Sequence, residues 1–440
     1  MLKKLLLHSL ALLLLSAITG SVIALFLWLL DTVTHFRFQH PWLLYLLPLG
    51  GILVYYLYQL WGKNSEKGNN LIIEEIHAPG GGVPRRMAPL VLAGTIITHL
   101  FGGSAGREGT AVQIGGSTAS LVSQWFSNHV INKQVLLMAG IAAGFGAVFG
   151  TPFAGTIFAV EVLALGSFTF SPLIPCLVAA FLADFVCSLY HIHHTHYHIS
   201  SIVTRINGWL IFKVAGAGIL FGFTAFLFAE LTHGFKYLFQ RIPVKWLIPA
   251  VGGVMIIALT WLLQTDDYLG LGVQKPPKVT GISIVGAFGP AHAPWLSWWW
   301  KLLFTAITLS CGMKGGEVTP LFFIGATLGS VLGSLLGVPV DLMAALGFIA
   351  VFAGATNTPI ACTIMGIELF GPYYTFYFAI ACGAAYLSSG HISIYSSQQI
   401  QHPKLFNRRR HGHETSMAAG FQRRRQFTAK YISTLKQLLR

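Results

Sequence analysis

The amino-acid sequence predicts an all-α polytopic membrane protein made of two related halves, and three observations predict it. Of the 440 residues, 54% are hydrophobic and only 10% are charged, which leaves a soluble domain too few surface charges to stay in solution. Apolar runs near the length of about 20 residues that crosses a bilayer recur at 5–30, 41–60, 208–230 and 246–263. Other runs, at 135–150 and 343–354, are short and broken by glycine. The third observation is an internal repeat.

The repeat has two parts. Gly106, Glu108, Thr110, Gly116 and Thr118 recur as Gly315, Glu317, Thr319, Gly325 and Thr327, all 209 residues on. Thr151, Pro152, Ala154, Thr156, Ile157 and Glu161 recur as Thr358, Pro359, Ala361, Thr363, Ile364 and Glu368, 207 residues on. Two matches in one order at nearly equal offsets divide the chain into a first membrane repeat (1–190), a His-rich linker (191–207), a second membrane repeat (208–398) and a basic tail (399–440). Similarity alone does not say whether the halves run parallel or inverted. Charge helps: Lys63, Lys67, Arg85 and Arg86 follow the second long span of the first half, while Lys236, Arg241 and Lys245 follow the first long span of the second. Cytoplasmic basic loops in those places fit halves of opposite topology. Transporters built this way hold their ion near the bilayer midplane, between broken helices.

The first apolar run begins after Lys3 and Lys4 and continues past Gly20 to Leu30. A secretory signal has an apolar core of only about 7–15 residues, so a retained helix starting in the cytoplasm is expected. Cys176, Cys187, Cys311, Cys362 and Cys382 lie scattered in apolar stretches, with neither metal-ligand spacing nor a disulfide framework. Of the net charge of +14, nine units come from residues 401–440, where Lys404, Arg408, Arg409, Arg410, Arg423, Arg424, Arg425, Lys430, Lys436 and Arg440 face Glu414 alone. A tail of this kind after a membrane domain reads as cytoplasmic and in contact with anionic lipid headgroups, rather than as a nucleic-acid binder. Both termini are therefore expected in the cytoplasm, in the inner (plasma) membrane of a bacterium.

Both copies of the first motif set glycines and a threonine beside a glutamate in apolar surroundings. Glycine lets backbone N–H groups approach a ligand, and a helix starting there aims its unsatisfied N–H groups and positive dipole end at an anion. Burying an uncompensated ion costs several kcal/mol, while one helix terminus returns about 0.3–2 kcal/mol. Several termini and charge-assisted hydrogen bonds of about 1.5–3 kcal/mol each are needed together, and a broken helix pair from each half supplies them. Glu108, an intramembrane carboxylate, would compete with the anion for this pocket and leave it when protonated. That competition is the chemical basis of anion/proton exchange. Permanent pairing with Arg107 is the structural alternative.

Gly106-Arg107-Glu108-Gly109-Thr110 resembles the gating-glutamate motif of the CLC family, usually Gly-Arg-Glu-Gly-Pro. Gly315-Gly316-Glu317-Val318-Thr319-Pro320 resembles that family's second anion-binding motif, usually Gly-Gly-Ile-Phe-Ala-Pro, and Tyr395 matches the anion-coordinating tyrosine of its last helix. The resemblance covers about residues 6–398 and implies two inverted repeats of broken and tilted helices, a homodimer with one pathway per subunit, and no catalysis, cofactor or metal. Its departures point to the fluoride-exporting, proton-coupled branch. The usual Gly-Ser-Gly-Ile-Pro loop stands here as Gly68-Asn69-Asn70-Leu71-Ile72, the gating proline is Thr110, the second motif has gained Glu317 and Thr319, and apolar Val162 replaces the inner proton-transfer glutamate. By resemblance, then, Glu108 gates and carries the proton with Glu317 as second acid. Asn69, Gly109, Val318, Thr319, Phe323 and Tyr395 form the anion-binding set. Fluoride is small and strongly hydrated, so strong donors such as Asn69 and Thr319 suit it, and Phe322 or Phe323 could present positive ring edges. The bland alternatives are a turn at Asn69, core packing for the phenylalanines and an interfacial position for Tyr395.

The expected function is fluoride/proton antiport that exports fluoride; the alternative is a chloride channel or chloride/proton exchanger. An intramembrane enzyme is disfavoured because neither a His-Glu-x-x-His nor a Ser/His arrangement occurs. His191, His193, His194, His196 and His198 have no Cys or carboxylate beside them in sequence and read as a tolerated extracytoplasmic loop rather than a metal site. Glu161 and Glu368 read as hydrogen-bonding partners of neighbouring helix ends. No motif surrounds Asp184 or Glu230.

Overall fold

The structure, a computed structural model, describes residues 2–126, 132–195, 197–201, 207–273, 281–290 and 293–404 and the backbone of 415–416. The tail residues Arg408, Arg409, Arg410, Arg423, Arg424, Arg425, Lys430, Lys436, Arg440 and Glu414, together with His196, lie outside the described residues.

Helices of uneven length form the chain. The first half contains α1 (Leu2–Gln39), α2 (Leu47–Trp61), α3 (Asn69–His77), α4 (Met87–Leu100), α5 (Glu108–Ser123), α6 (Lys133–Phe149), α7 (Pro152–Glu161) and α8 (Leu173–Leu189). The second contains α9 (Gly208–Gln240), α10 (Leu247–Leu263), α11 (Ser297–Ser310), α12 (Val318–Leu336), α13 (Val340–Thr356), α14 (Pro359–Phe370) and α15 (Thr375–Ser388). With 38 residues, α1 would extend about 57 Å at 1.5 Å per residue. That exceeds a hydrocarbon core of about 30 Å, so it must tilt or protrude. By contrast α7 has 10 residues and reaches only about halfway across. Its end is set locally: Pro152 lacks the N–H that a first-turn position would leave unpaired anyway. Leu6, Leu53, Trp61, Phe212, Trp261 and Leu262 are among many large apolar side chains left exposed. A surface of that kind belongs in lipid.

The two halves repeat one packing scheme. α5 lies on α6, α6 on α8 and α8 on α1; in the same way α12 lies on α13, α13 on α15 and α15 on α9. At both major helix crossings the backbones touch. A Cβ on Gly115 would stand 1.9 Å from the Gly140 carbonyl oxygen, and one on Gly325 would stand 2.0 Å from that of Gly347. Only glycine permits such an approach.

Contacts between the halves are reciprocal, as a local two-fold axis requires. Gly106 N–H donates to Gly316 O at 2.6 Å and Gly316 N–H returns a bond to Gly106 O at 2.8 Å, an antiparallel exchange between the two motif copies. Glu161 accepts from the N–H groups of Ile360 and Ala361 at the start of α14, at 3.0 and 2.8 Å. Its counterpart Glu368 accepts from those of Phe153 and Ala154 at the start of α7, at 2.9 and 2.8 Å. Each acid thus satisfies otherwise unpaired donors at the other half's short helix and meets its positive end. The two repeats are thus related by a local two-fold axis.

The segment after α15 is folded back onto the membrane domain. Gln399–Ile400 pairs in parallel with Ala164–Leu165 and antiparallel with Thr415–Ser416. Composition groups Lys404 with the solvated tail charges, but it is buried. Its Nζ donates to Asn357 Oδ1 at 2.6 Å, Ser389 Oγ at 2.9 Å and Tyr386 O, and lies 4.0 Å from the Tyr386 ring centroid. A lysine can be buried when its three donors are all used, and here they are.

Candidate anion-binding site

Three helix N-termini meet where the two motif copies touch. A Cβ on Gly109, the second residue of α5, would lie 3.0 Å from Gly316 Cα, 3.2 Å from Asn69 Nδ2 and 3.4 Å from Glu317 Oε2. Asn69 opens α3, and Val318 and Thr319 open α12. Such termini carry N–H groups without intrahelical partners, so their convergence makes a region that favours negative charge.

Glu108 supplies that charge. Fully buried at the start of α5, it reaches across to the other half. Oε2 accepts the Thr319 N–H at 3.0 Å and the Arg107 N–H at 3.1 Å, while Oε1 accepts the Thr319 hydroxyl. Arg107 Nε stands 3.6 Å from Oε1, close enough for attraction but long for a hydrogen bond. The carboxylate therefore sits where a free anion would sit, held by donors that an anion would need. It is shared between halves, not simply paired with its neighbour.

Glu317 is placed differently although it is the repeat counterpart. Its Oε2 is buried and has no hydrogen-bond partner, and the same holds for Asn69 Oδ1. An unpartnered buried oxygen beside an anion site is a place for a proton or a donor to arrive. Tyr395 is buried and lies within electrostatic reach of both Glu317 and Glu108, its ring edge against Phe158 at 6.5 Å. The Tyr395 segment is tied to α3: Ser397 N–H donates to Asn70 Oδ1 at 3.0 Å and its hydroxyl to Glu74 Oε1 at 2.9 Å. Thr110 turns away from the pocket, its hydroxyl 2.7 Å from that of Thr95. It joins α4 to α5 rather than holding an ion.

The two phenylalanines diverge. Phe322 lines a cavity of about 20 Å³ together with Arg107, Glu108, Thr319, His194 and Tyr197, and stacks on Phe348 at 3.9 Å between centroids. Phe323 does not line that cavity. It faces Lys301, whose Nζ lies 5.4 Å from its ring centroid, and the edge of Tyr268 at 6.3 Å. Consecutive helical residues point about 100° apart, so only one of the pair can face the cavity. Sequence favoured Phe323; the aromatic neighbour on the Glu108 side is Phe322.

Sequence reading also missed His194 and Tyr197. His194 fits against Gly150, where a Cβ would come within 2.6 Å of the imidazole. A histidine run carries no signal for which member folds inward. The partner it finds, Asp184 at 3.8 Å, comes from α8 and is remote in sequence.

The chain matches the family model described as voltage gated chloride channel over residues 50–390. It is 48% identical over 398 residues to a protein of Pseudomonas syringae pv. tomato named chloride/fluoride channel protein, covering 89% of this chain and 86% of that one. Its structure resembles the crystal structure of a CLC-type fluoride/proton antiporter with a TM-score of 0.85 and 36% sequence identity, over 90% of this chain and 98% of the other. A slow cyanobacterial Cl−/H+ antiporter shares the fold with a TM-score of 0.73 and 19% identity, over 87% and 94% of the two chains.

Proposed function

Given that the chain belongs to the voltage gated chloride channel family, CLC, and moves anions across a membrane, we propose that its ion is fluoride and that it exchanges fluoride for protons, exporting fluoride from the cytoplasm. The observation that carries this reading is Glu108, whose buried carboxylate occupies the donors of Thr319 at the start of α12. A fluoride ion and the Glu108 carboxylate cannot hold those donors together. Protonation frees them; deprotonation reclaims them.

The donor set supports fluoride rather than chloride. The hydroxyl of Thr319 and the amide of Asn69 can approach a small ion closely, and Glu317 provides a second acid where a chloride exchanger would use the position of Val162. Glu108 and Glu317 are the proton carriers in this reading, and Asn69, Gly109, Val318, Thr319 and Tyr395 surround the ion, with Phe322 replacing Phe323 as the adjacent ring. A homodimer, cytoplasmic termini in the inner membrane and a tail resting on anionic headgroups complete the picture.

Purified protein in liposomes decides it. A fluoride gradient should drive protons uphill, and fluoride should move faster than chloride in the same vesicles. Fluoride flux without proton flux under any gradient defeats the coupling. A chloride preference instead selects the channel or chloride/proton exchanger.

A further inference from the structure

His194 and Asp184 fall outside every role given so far, yet His194 lines the cavity of the buried acid and Asp184 stands beside it. The cavity of about 20 Å³ is lined by Glu108, Arg107, Thr319 and His194, and a space of that size admits one water molecule. Beyond His194, its Nε2 stands 3.8 Å from Asp184 Oδ1 on α8. Side-chain exposure rises along the row, from 1% at Glu108 to 20% at His194 and 28% at Asp184. The imidazole is seated by construction: Gly150 has a left-handed φ of +69°, and any side chain there would strike the ring at 2.6 Å.

We propose that His194, backed by Asp184, is the proton relay between Glu108 and the solvent on the His-rich-loop side, a role that rests on the exchange reading above. In the inward step that accompanies fluoride export, the N–H bond of the His194 imidazolium breaks and an O–H bond forms on the Glu108 carboxylate, through one water. The neutral imidazole then takes a new proton from a hydronium ion of the bulk, whose O–H bond breaks as the N–H bond re-forms. Histidine is suited to this because its ordinary pKa lies near neutrality. Asp184, 3.8 Å away, attracts the imidazolium, and Arg107 across the shared cavity opposes it. Glu108 and Arg107 face it from α5, Tyr197 from its own segment, and Asp184 from α8, with Cys187 and Glu368 within reach of Asp184. The relay also explains why His194, among the described histidines of the run, is folded inward.

Chemical rescue provides the test. In fluoride-driven vesicles of the full chain, His194→Ala should slow proton flux by about tenfold or more, and imidazole in the bath should restore it in proportion to its concentration. Fluoride binding by calorimetry should persist. Asp184→Asn should slow proton flux, because the imidazolium loses its partner. His194→Gln, which keeps the bulk of the side chain, serves if the alanine variant does not fold. Wild-type flux in either His194 variant, or a slow alanine variant that binds fluoride but ignores imidazole, overturns the relay. Absence of proton flux in the wild type itself overturns the exchange reading and the relay with it, whereas failure confined to the variants overturns the relay alone.

Discussion

Glu108 and Thr319 lie 211 residues apart in sequence and share two hydrogen bonds, the Thr319 N–H to Oε2 at 3.0 Å and its hydroxyl to Oε1. One half of the molecule thus places its acid on a helix start of the other half. Glu108→Gln keeps the shape and an acceptor but cannot titrate. Proton transport should stop while passive fluoride flux continues; simultaneous pH and fluoride electrodes on a vesicle suspension measure both. Proton movement at the normal ratio would assign the proton to another group.

Thr319 has a second use for its hydroxyl when Glu108 leaves. A hydrogen bond to a charged group contributes about 1.5–3 kcal/mol. Thr319→Val retains volume and the backbone N–H but loses the hydroxyl. Fluoride affinity measured by calorimetry should drop by roughly 10- to 150-fold on that basis. An unchanged affinity would mean that the hydroxyl serves only the carboxylate.

Asn69 bears on the choice of ion. Its Nδ2 faces Gly109 and its Oδ1 is buried without a partner, so the amide is committed to the site rather than to the turn before α3. Asn69→Ser substitutes the residue usual in the resembled chloride-binding loop. The ratio of fluoride to chloride efflux, measured in parallel vesicles, should fall severalfold. A ratio equal to that of the wild type would remove Asn69 from selectivity.

The repeat was legible because its landmarks are backbone requirements: Gly106, Gly315, Pro152 and Pro359 cannot be exchanged freely without moving a helix start. The helix-capping of Glu161 and Glu368 was legible for the same reason, since short apolar helices leave donors that some buried acid must satisfy. What the sequence could not supply is rotation about a helix and contact across the fold. Thr319, Phe322 and Phe323 are neighbours in the chain, but the direction each faces depends on how α12 rolls against α13 and α11. Likewise Lys404 has the charge of a tail residue, and only the position of Asn357, Tyr386 and Ser389 makes it an interior one. His194 meets Asp184 through tertiary packing alone.

Glu161 and Glu368 offer a control for the transport residues. Replacing either with alanine strands two backbone N–H groups at a helix start, and each unsatisfied donor costs about 1–3 kcal/mol. Melting in detergent should therefore come earlier for both. The loss should be larger for Glu161→Ala, because Glu161 is buried whereas Glu368 is partly exposed. The proton-to-fluoride ratio should stay at its wild-type value in both. A changed ratio would place these acids on the proton path.

Lys404 holds the segment that carries Tyr395. Its ammonium joins Asn357, which donates to Gln398 Oε1 at 2.8 Å; Gln398 in turn donates to Val162 O and Thr356 O, each at 2.9 Å. This network ties the chain after α15 to the C-terminal end of α7 and to α13, behind the buried Tyr395. Lys404→Met keeps most of the side-chain volume and removes the ammonium, stranding the Asn357 and Tyr386 oxygens at a cost of about 1–3 kcal/mol each. Local opening should become easier, and hydrogen exchange of the amides at 393–404 should accelerate by at least about tenfold, which corresponds to roughly 1.4 kcal/mol. Fluoride exchange should slow with it, because Tyr395 no longer has a fixed backbone. If those amides exchange as in the wild type, the segment is held by its strand pairing with Ala164–Leu165 instead, and Lys404 only fills space.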